Sequence, residues 1–212
     1  MKVGHCQLEC MTGKHEQNLA KLVSWLEVAD GEGLDIVSFP ESFLTGYFSS
    51  PQKARQYSLR IDGPQIAELL RRTARFRPTF MVGFNEMRQD QLLNTVLVAE
   101  SGHLVGTYSK AFPCFDYFTP GRDFPVFERG DLKFGIVICA DGGYIEPARI
   151  LALKGAQIIF SPHYNYIAKE NLINHFQHVR SDHIARAVEN GVWFLRGNNV
   201  CSGLDEGLEY EG

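Results

Sequence analysis

The sequence predicts an α/β protein built on a mixed sheet. Apolar runs of strand length alternate with segments whose apolar residues recur at helical spacing, the rhythm of strand–helix–strand units. Two apolar runs, Thr95–Glu100 and Leu104–Ser109, flank Ser101-Gly102, a hairpin signal that brings antiparallel pairing into the sheet.

The elements follow in order. Residues 2–9 read as a strand, and residues 15–29 as a helix whose stripe is Leu19, Leu22, Val23, Trp25 and Leu26, ended by Gly31 and Gly33. Leu34–Phe39 is a buried strand leading into Pro40-Glu41, and a polar loop containing Pro51 follows. Gly63-Pro64 opens a helix that runs to about Phe76, with proline in the first turn where its missing N–H costs nothing. Thr79–Phe84 is a strand, the hairpin comes next, and residues 111–125 form a long aromatic loop with Pro113, Pro120 and Gly121. The second half repeats the rhythm: strand 133–139, helix 146–154, strand 157–161, loop 162–170, helix 171–189 and strand 192–196. Leu204–Gly212 is acidic and Gly-rich and reads as a loop.

Composition narrows the function. The 212 residues are 44% hydrophobic and 22% charged, enough for one sizeable core, so residues 1–212 read as a single domain. A net charge of −4 favours neither nucleic acid nor an anionic membrane surface. The basic group Arg71, Arg72, Arg75 and Arg77 reads as the solvated face of its helix. No signal peptide or membrane-length apolar run is present, and five cysteines without a Cys-x-x-Cys pair suit reduced thiols, so a cytoplasmic protein is expected.

Three reactive side chains stand at predicted strand exits: Glu41 in Phe-Pro-Glu, Lys110 in Gly-Thr-Tyr-Ser-Lys, and Cys139 in Phe-Gly-Ile-Val-Ile-Cys-Ala-Asp-Gly-Gly. A thiol attacks a carbonyl or nitrile carbon only as thiolate or with a base beside it. Glu41 could take the thiol proton and hand it to the leaving nitrogen. Lys110 and the backbone N–H following Cys139 could stabilise the oxyanion. Read singly, each residue has a structural alternative: a core cysteine, a capping glutamate, a solvated lysine.

Taken together, the three segments resemble the nitrilase, or carbon–nitrogen hydrolase, superfamily. Phe39-Pro-Glu41, Gly106-Thr-Tyr-Ser-Lys110 and Gly135-Ile-Val-Ile-Cys139-Ala-Asp-Gly-Gly-Tyr-Ile-Glu146 resemble its three blocks, in order. Phe118–Gly121, Leu151–Ala156 and Ala185–Asn190 are similar to its supporting segments. The resemblance implies a four-layer α-β-β-α sandwich, cofactor-free hydrolysis of a non-peptide C–N bond through a thioester, and a homodimer or larger homo-oligomer. Carried over by position, Cys139 is the nucleophile, Glu41 the base and acid, and Lys110 the oxyanion stabiliser.

The chain departs from that pattern in places. Ile145 stands where a proline is usual, Ala140 where an aromatic is frequent, and Cys114 where a second pocket glutamate is often found, with Asp116 two residues on as a candidate replacement. The chain ends at Gly212, before the further strands of the resemblance, so a C-terminally incomplete sandwich with an exposed edge and reduced stability is expected. Cys139-Ala140-Asp141 and Gly142-Gly143-Tyr144 resemble the amidase and carbamoyl-hydrolysing branches. The expected substrate is therefore a small amide or N-carbamoyl compound, with a nitrile as the alternative and a non-catalytic binding relative as the third reading. Ala140, Tyr144, His163, Tyr164 and Asn165 are candidate substrate contacts beside Asp116, and Arg149 and Arg186 could meet a substrate carboxylate. His163 is an alternative base for the thiol. His175, His178 and His183 with Cys201 are a weakly spaced metal set, and no metal or other cofactor is expected.

Overall fold

The computed structural model describes residues 1–200 and, as backbone, Ser202–Asp205 and Leu208–Glu211. Two sheets pack face to face, with helices outside each. The first sheet has the order β1 (Val3–His5), β2 (Ile36–Ser38), β3 (Thr79–Arg88), β4 (Gln91–Glu100), β5 (His103–Ser109). Strands β1 to β3 run parallel, whereas β3–β4 and β4–β5 are antiparallel, so β5 runs with β2 and β3. The second sheet has the order β10 (Trp193–Gly197), β8 (Ile158–Pro162), β7 (Leu132–Ile136), β6 (Phe127–Arg129), with only β6 antiparallel.

The layers follow from which faces are apolar. Ile36, Met81, Val96 and Val98 of the first sheet meet Phe134, Ile136, Ile158 and Phe160 of the second in one buried cluster. The other face of the first sheet, with Val37, Phe80, Val82 and Leu97, is covered by Leu19, Leu22 and Leu26 of α1 (His15–Gly31) and by Ile66 and Leu69 of α3 (Pro64–Thr73). The outer face of the second sheet packs on Ala148 and Leu151 of α4 (Ile145–Leu153), with α5 (Leu172–Asn190) beside it. This is the α-β-β-α sandwich that the resemblance implied.

The structure also revises individual elements. The polar loop after Glu41 holds a short helix, α2 (Pro51–Gln56): Ser50 Oγ caps it by accepting from Lys53 N–H at 3.4 Å, and Pro51 occupies the first turn. Strand β3 continues to Arg88 and forms a second hairpin with β4 through Gln89, whose φ of +54° makes the tight turn. Trp25 is 43% exposed and lies off the buried stripe of α1. Loop 162–170 contains β9 (Ile167–Ala168), and the acidic tail read as a loop forms β11 (Ser202–Asp205) and β12 (Leu208–Glu211), with β12 pairing onto β9. The basic helix face is solvated and ion-paired: Arg71 to Glu68 at 2.6 Å, Arg72 to Glu16 at 3.7 Å, Arg75 to Glu27 at 3.8 Å and Arg77 to Asp30 at 2.8 Å. Among the described residues no helix is long and apolar enough to cross a membrane.

Candidate active site

Glu41 and Lys110 leave the carboxyl ends of β2 and β5, which point the same way, and Cys139 leaves β7 in the facing sheet. Their backbones are held by close packing. Ser42 has φ +50°, and its turn lies so near β3 that a Cβ on Gly83 would sit 2.3 Å from Ser42 N. Only glycine leaves room there. Lys110 donates its N–H to Asn94 C=O and accepts from Gly121 N–H, both at 2.8 Å. A Cβ on Gly121 would lie 2.0 Å from Ser109 O, so glycine is required on this side as well.

Cys139 opens a 3-10 helix, Cys139–Gly143, with φ +49°. A left-handed non-glycine residue costs about 1–3 kcal/mol and persists only where its surroundings hold it. Asp141 does the holding. It accepts from Tyr108 Oη at 2.7 Å, Phe112 N–H at 2.8 Å and Ile138 N–H at 3.0 Å. Tyr108 belongs to the strand that delivers Lys110, so one buried carboxylate ties the Cys139 turn to the lysine's strand. Gly142 is pressed against the neighbouring helix: a Cβ there would stand 2.5 Å from His183 Nε2.

Glu41 and Lys110 are both 1% exposed. Glu41 Oε1 accepts from Lys110 Nζ and from Asn94 Nδ2, each at 2.7 Å, and Oε2 accepts from Tyr164 N–H at 2.9 Å. Burial alone would lower the Lys110 ammonium, but the Glu41 charge, helped by Cys139 and Tyr47, outweighs it and holds the lysine well above its ordinary value. Lys110 Nζ lies beneath the cavity floor, 3.9 Å from Cys114 Sγ. The half-buried Cys139 thiol donates to Asn165 Oδ1 at 3.6 Å and lies within the electrostatic reach of the Glu41 carboxylate. Burial first, then the Glu41 charge, pushes this thiol well above its ordinary value, against the pull of Lys110. These influences favour the neutral thiol over the thiolate at Cys139.

The site opens into a cavity of about 860 Å³. Of the residues singled out in the sequence, Ala140, His163, Tyr164 and Asn165 line it together with Glu41 and Cys139. Tyr144 does not: it is 46% exposed and stacks on Phe112 with ring centroids 3.7 Å apart. Asp116 is exposed and outside the cavity, whereas Cys114, the residue it was to replace, lines it. Neither Arg149 nor Arg186 reaches the cavity wall, and Arg186 pairs with Glu189 at 2.7 Å. His163 Nε2 is 3.0 Å from Ser161 Oγ, and burial, then the His183 and Arg196 charges, hold its imidazole neutral. Among the described residues no three His, Cys, Asp or Glu side chains come together to hold a metal ion, and Cys201 lies outside them. Asn94 was missed in the sequence. Its only signal is a polar residue interrupting the apolar run Leu92-Leu93-Asn94-Thr95-Val96-Leu97.

The four-layer sandwich thus gathers a thiol, a carboxylate and an ammonium at one cavity. The carbon-nitrogen hydrolase family matches residues 2–212, and the chain belongs to it. The chain is 30% identical over 218 residues to a nitrilase of Pyrococcus abyssi, covering all of this chain and 79% of that protein. It is 26% identical to an (R)-stereoselective amidase of a Pseudomonas species, covering all of this chain and 75% of the amidase. A glutamine-dependent NAD(+) synthetase of Thermotoga maritima is 32% identical over 168 residues, but the match spans only 29% of the synthetase. Among solved structures, a mutant nitrilase-superfamily amidase of Nesterenkonia AN1 superposes with a TM-score of 0.80 at 22% identity, covering all of this chain and 80% of that one, a likeness of fold.

Proposed function

We propose that this chain, acting as one domain, hydrolyses the C–N bond of a small carboxamide or N-carbamoyl compound through a thioester on Cys139. The observation that carries the reading is that Glu41 and Cys139 line one cavity, with the Glu41 carboxylate 2.7 Å from the buried Lys110 Nζ. Glu41 accepts the thiol proton as sulfur attacks the carbonyl carbon, then returns it to the departing nitrogen. Lys110, fixed beneath the floor, supplies positive charge to the oxyanion, with the first-turn N–H groups of the 3-10 helix as further donors. Water, deprotonated by Glu41, attacks the thioester; acid and ammonia or amine leave, and the thiol is restored. The charge that Glu41 exerts on the thiol favours it over His163 as base, since His163 is turned to Ser161 and held neutral by burial.

The similarity to a nitrilase keeps nitrile hydrolysis as a second reading. Ammonia release on matched amides and nitriles separates the two: acid from nitriles but not from amides would overturn the amidase reading. Mass spectrometry of protein trapped with substrate should show an acyl adduct on Cys139 that is absent in Cys139→Ala. An adduct on another cysteine would overturn the mechanism. The exposed apolar side chains Ile184, Val188 and Trp193, 53%, 77% and 79% exposed, support a homo-oligomer, which size-exclusion chromatography with light scattering tests.

A further inference from the structure

The far wall of the cavity has a charge pattern that the catalytic groups do not use. Helix α5 presents His175, His178, Val179 and Asp182 to it, positions three, four and seven residues apart and hence on one face. Aromatic rings, Tyr47, Phe115 and Tyr164, also line the cavity, with Tyr47 and Tyr164 stacked at 5.7 Å between centroids. The carboxylates at the cavity wall are Glu9, Glu41 and Asp182. Glu41 is committed to Lys110 at 2.7 Å, and Glu9 faces Lys21 at 4.0 Å on the exposed rim. Asp182 pairs, among the described residues, with the exposed His178 at 3.4 Å. Among the described residues no lysine or arginine lines the cavity. His163, His175 and His183 do not supply the missing cation, because burial is the main force lowering each of them, His183 to about 3. Arg186, one helical turn beyond Asp182, is turned to Glu189 and to Gly143 C=O.

Asp182 also stands at a usable distance. Its Oδ2 would be 3.6 Å from a Cβ built on Gly143, the last residue of the 3-10 helix that Cys139 opens. A 3-10 helix rises about 2 Å per residue, so Gly143 lies roughly 8 Å beyond the thiol along that axis. A substrate whose carbonyl reaches Cys139 would place a group a few methylenes away beside this carboxylate.

We propose that the α5 face is the subsite for the distal end of the substrate, and that Asp182 selects a cationic amine there over a neutral or anionic group. The inference rests on the amidase or carbamoylase reading of Cys139 and adds the substrate class: amides or N-carbamoyl compounds carrying an ammonium at the other end. A carboxylate in the same position would meet Asp182, with no lysine or arginine of the cavity wall to receive it. Aromatic walls suit the ammonium further.

The test measures binding, so it does not depend on turnover. Cys139→Ala protein is titrated calorimetrically with three linear amides of one chain length: aminopentanamide, hydroxypentanamide and adipamate, ending in an ammonium, a hydroxyl and a carboxylate. The ammonium amide should bind about 10-fold more tightly than the hydroxyl amide, the size of a partly exposed ion pair with aromatic support, and adipamate should bind worst. Added Asp182→Asn should erase the ammonium advantage, and Asp182→Glu should restore part of it. Adipamate binding as well as the ammonium amide, an order unmoved by Asp182→Asn, or no binding by any of the three would each overturn the proposal. The expected order in Cys139→Ala, combined with no hydrolysis of any amide by the unmutated protein, would leave the subsite standing and remove the hydrolase reading instead.

Discussion

Replacing Glu41 by Gln should change the reactivity of Cys139 and the turnover of the protein in opposite directions. The Glu41 charge acts on the thiol and stands 2.7 Å from Lys110 Nζ, so it both stabilises S–H and offsets a cation that would favour S⁻. Two unit charges about 4 Å apart interact by about 4 kcal/mol at an effective dielectric of ~20. Loss of the carboxylate therefore favours thiolate by up to about a thousandfold. A more acidic thiol is a weaker nucleophile, with a Brønsted slope of about 0.5, so alkylation by iodoacetamide at neutral pH should quicken by about 30-fold. Turnover should fall by about 10²–10⁴-fold, because the base that moves the proton during attack and departure is gone. Stopped-time alkylation read by mass spectrometry, beside ammonia release, measures both quantities. Slower alkylation in Glu41→Gln would refute the electrostatic argument, and retained turnover would remove Glu41 as the base. The variant also leaves Lys110 buried without a counter-charge, a loss of about 3–5 kcal/mol, so its melting curve is recorded first and Glu41→Asp serves where it fails to fold.

Three further outcomes follow from the same contacts. Asn94→Ala removes the 2.7 Å hydrogen bond to Glu41 Oε1, and should cost about 1.5–3 kcal/mol of stability by urea unfolding together with roughly tenfold in kcat; an unchanged kcat would show that Glu41 is held without it. Gly121→Ala puts a methyl 2.0 Å from Ser109 O, a backbone clash that must displace the segment carrying Lys110, so the melting temperature and activity should fall together, and a wild-type melting curve would refute the packing argument. The third concerns acid. Burial lowers His5 and His183 to about 3 from an ordinary 6.5, so both stay neutral in the fold while the unfolded chain takes up protons. Their stabilising contribution is complete above pH 6.5 and is lost as pH falls towards 3, by about 1.4 kcal/mol per pH unit for each group. Urea unfolding at stepwise lower pH measures the slope, and a stability that stays flat below pH 6.5 would contradict the burial of these imidazoles.

The chain's own pattern determined the fold class, most of the element order and three reactive residues. Strand and helix periodicities are local signals, and Glu41, Lys110 and Cys139 each follow an apolar strand in a recognisable setting. Elements whose signals were weak or mixed escaped. Helix α2 hides in a polar loop behind Pro51, and the strand of the acidic tail that pairs onto β9 depends on a partner some forty residues earlier. Substrate contacts were harder still. Tyr144 and Asp116 sit close in sequence to reactive loops yet turn away from the cavity, whereas Asp182 reaches it from a helix with no motif around it.

What only the tertiary structure decided was proximity. Cys139 and Glu41 leave strands of facing sheets, and they line one cavity because two apolar faces close against each other and bring separate strand exits to one end. Asp141 illustrates the division. Its place two residues beyond Cys139 is plain in the sequence, but its partners Tyr108 and Phe112 come from another sheet and another loop. A buried carboxylate must find donors wherever packing provides them, and no local pattern records where that will be.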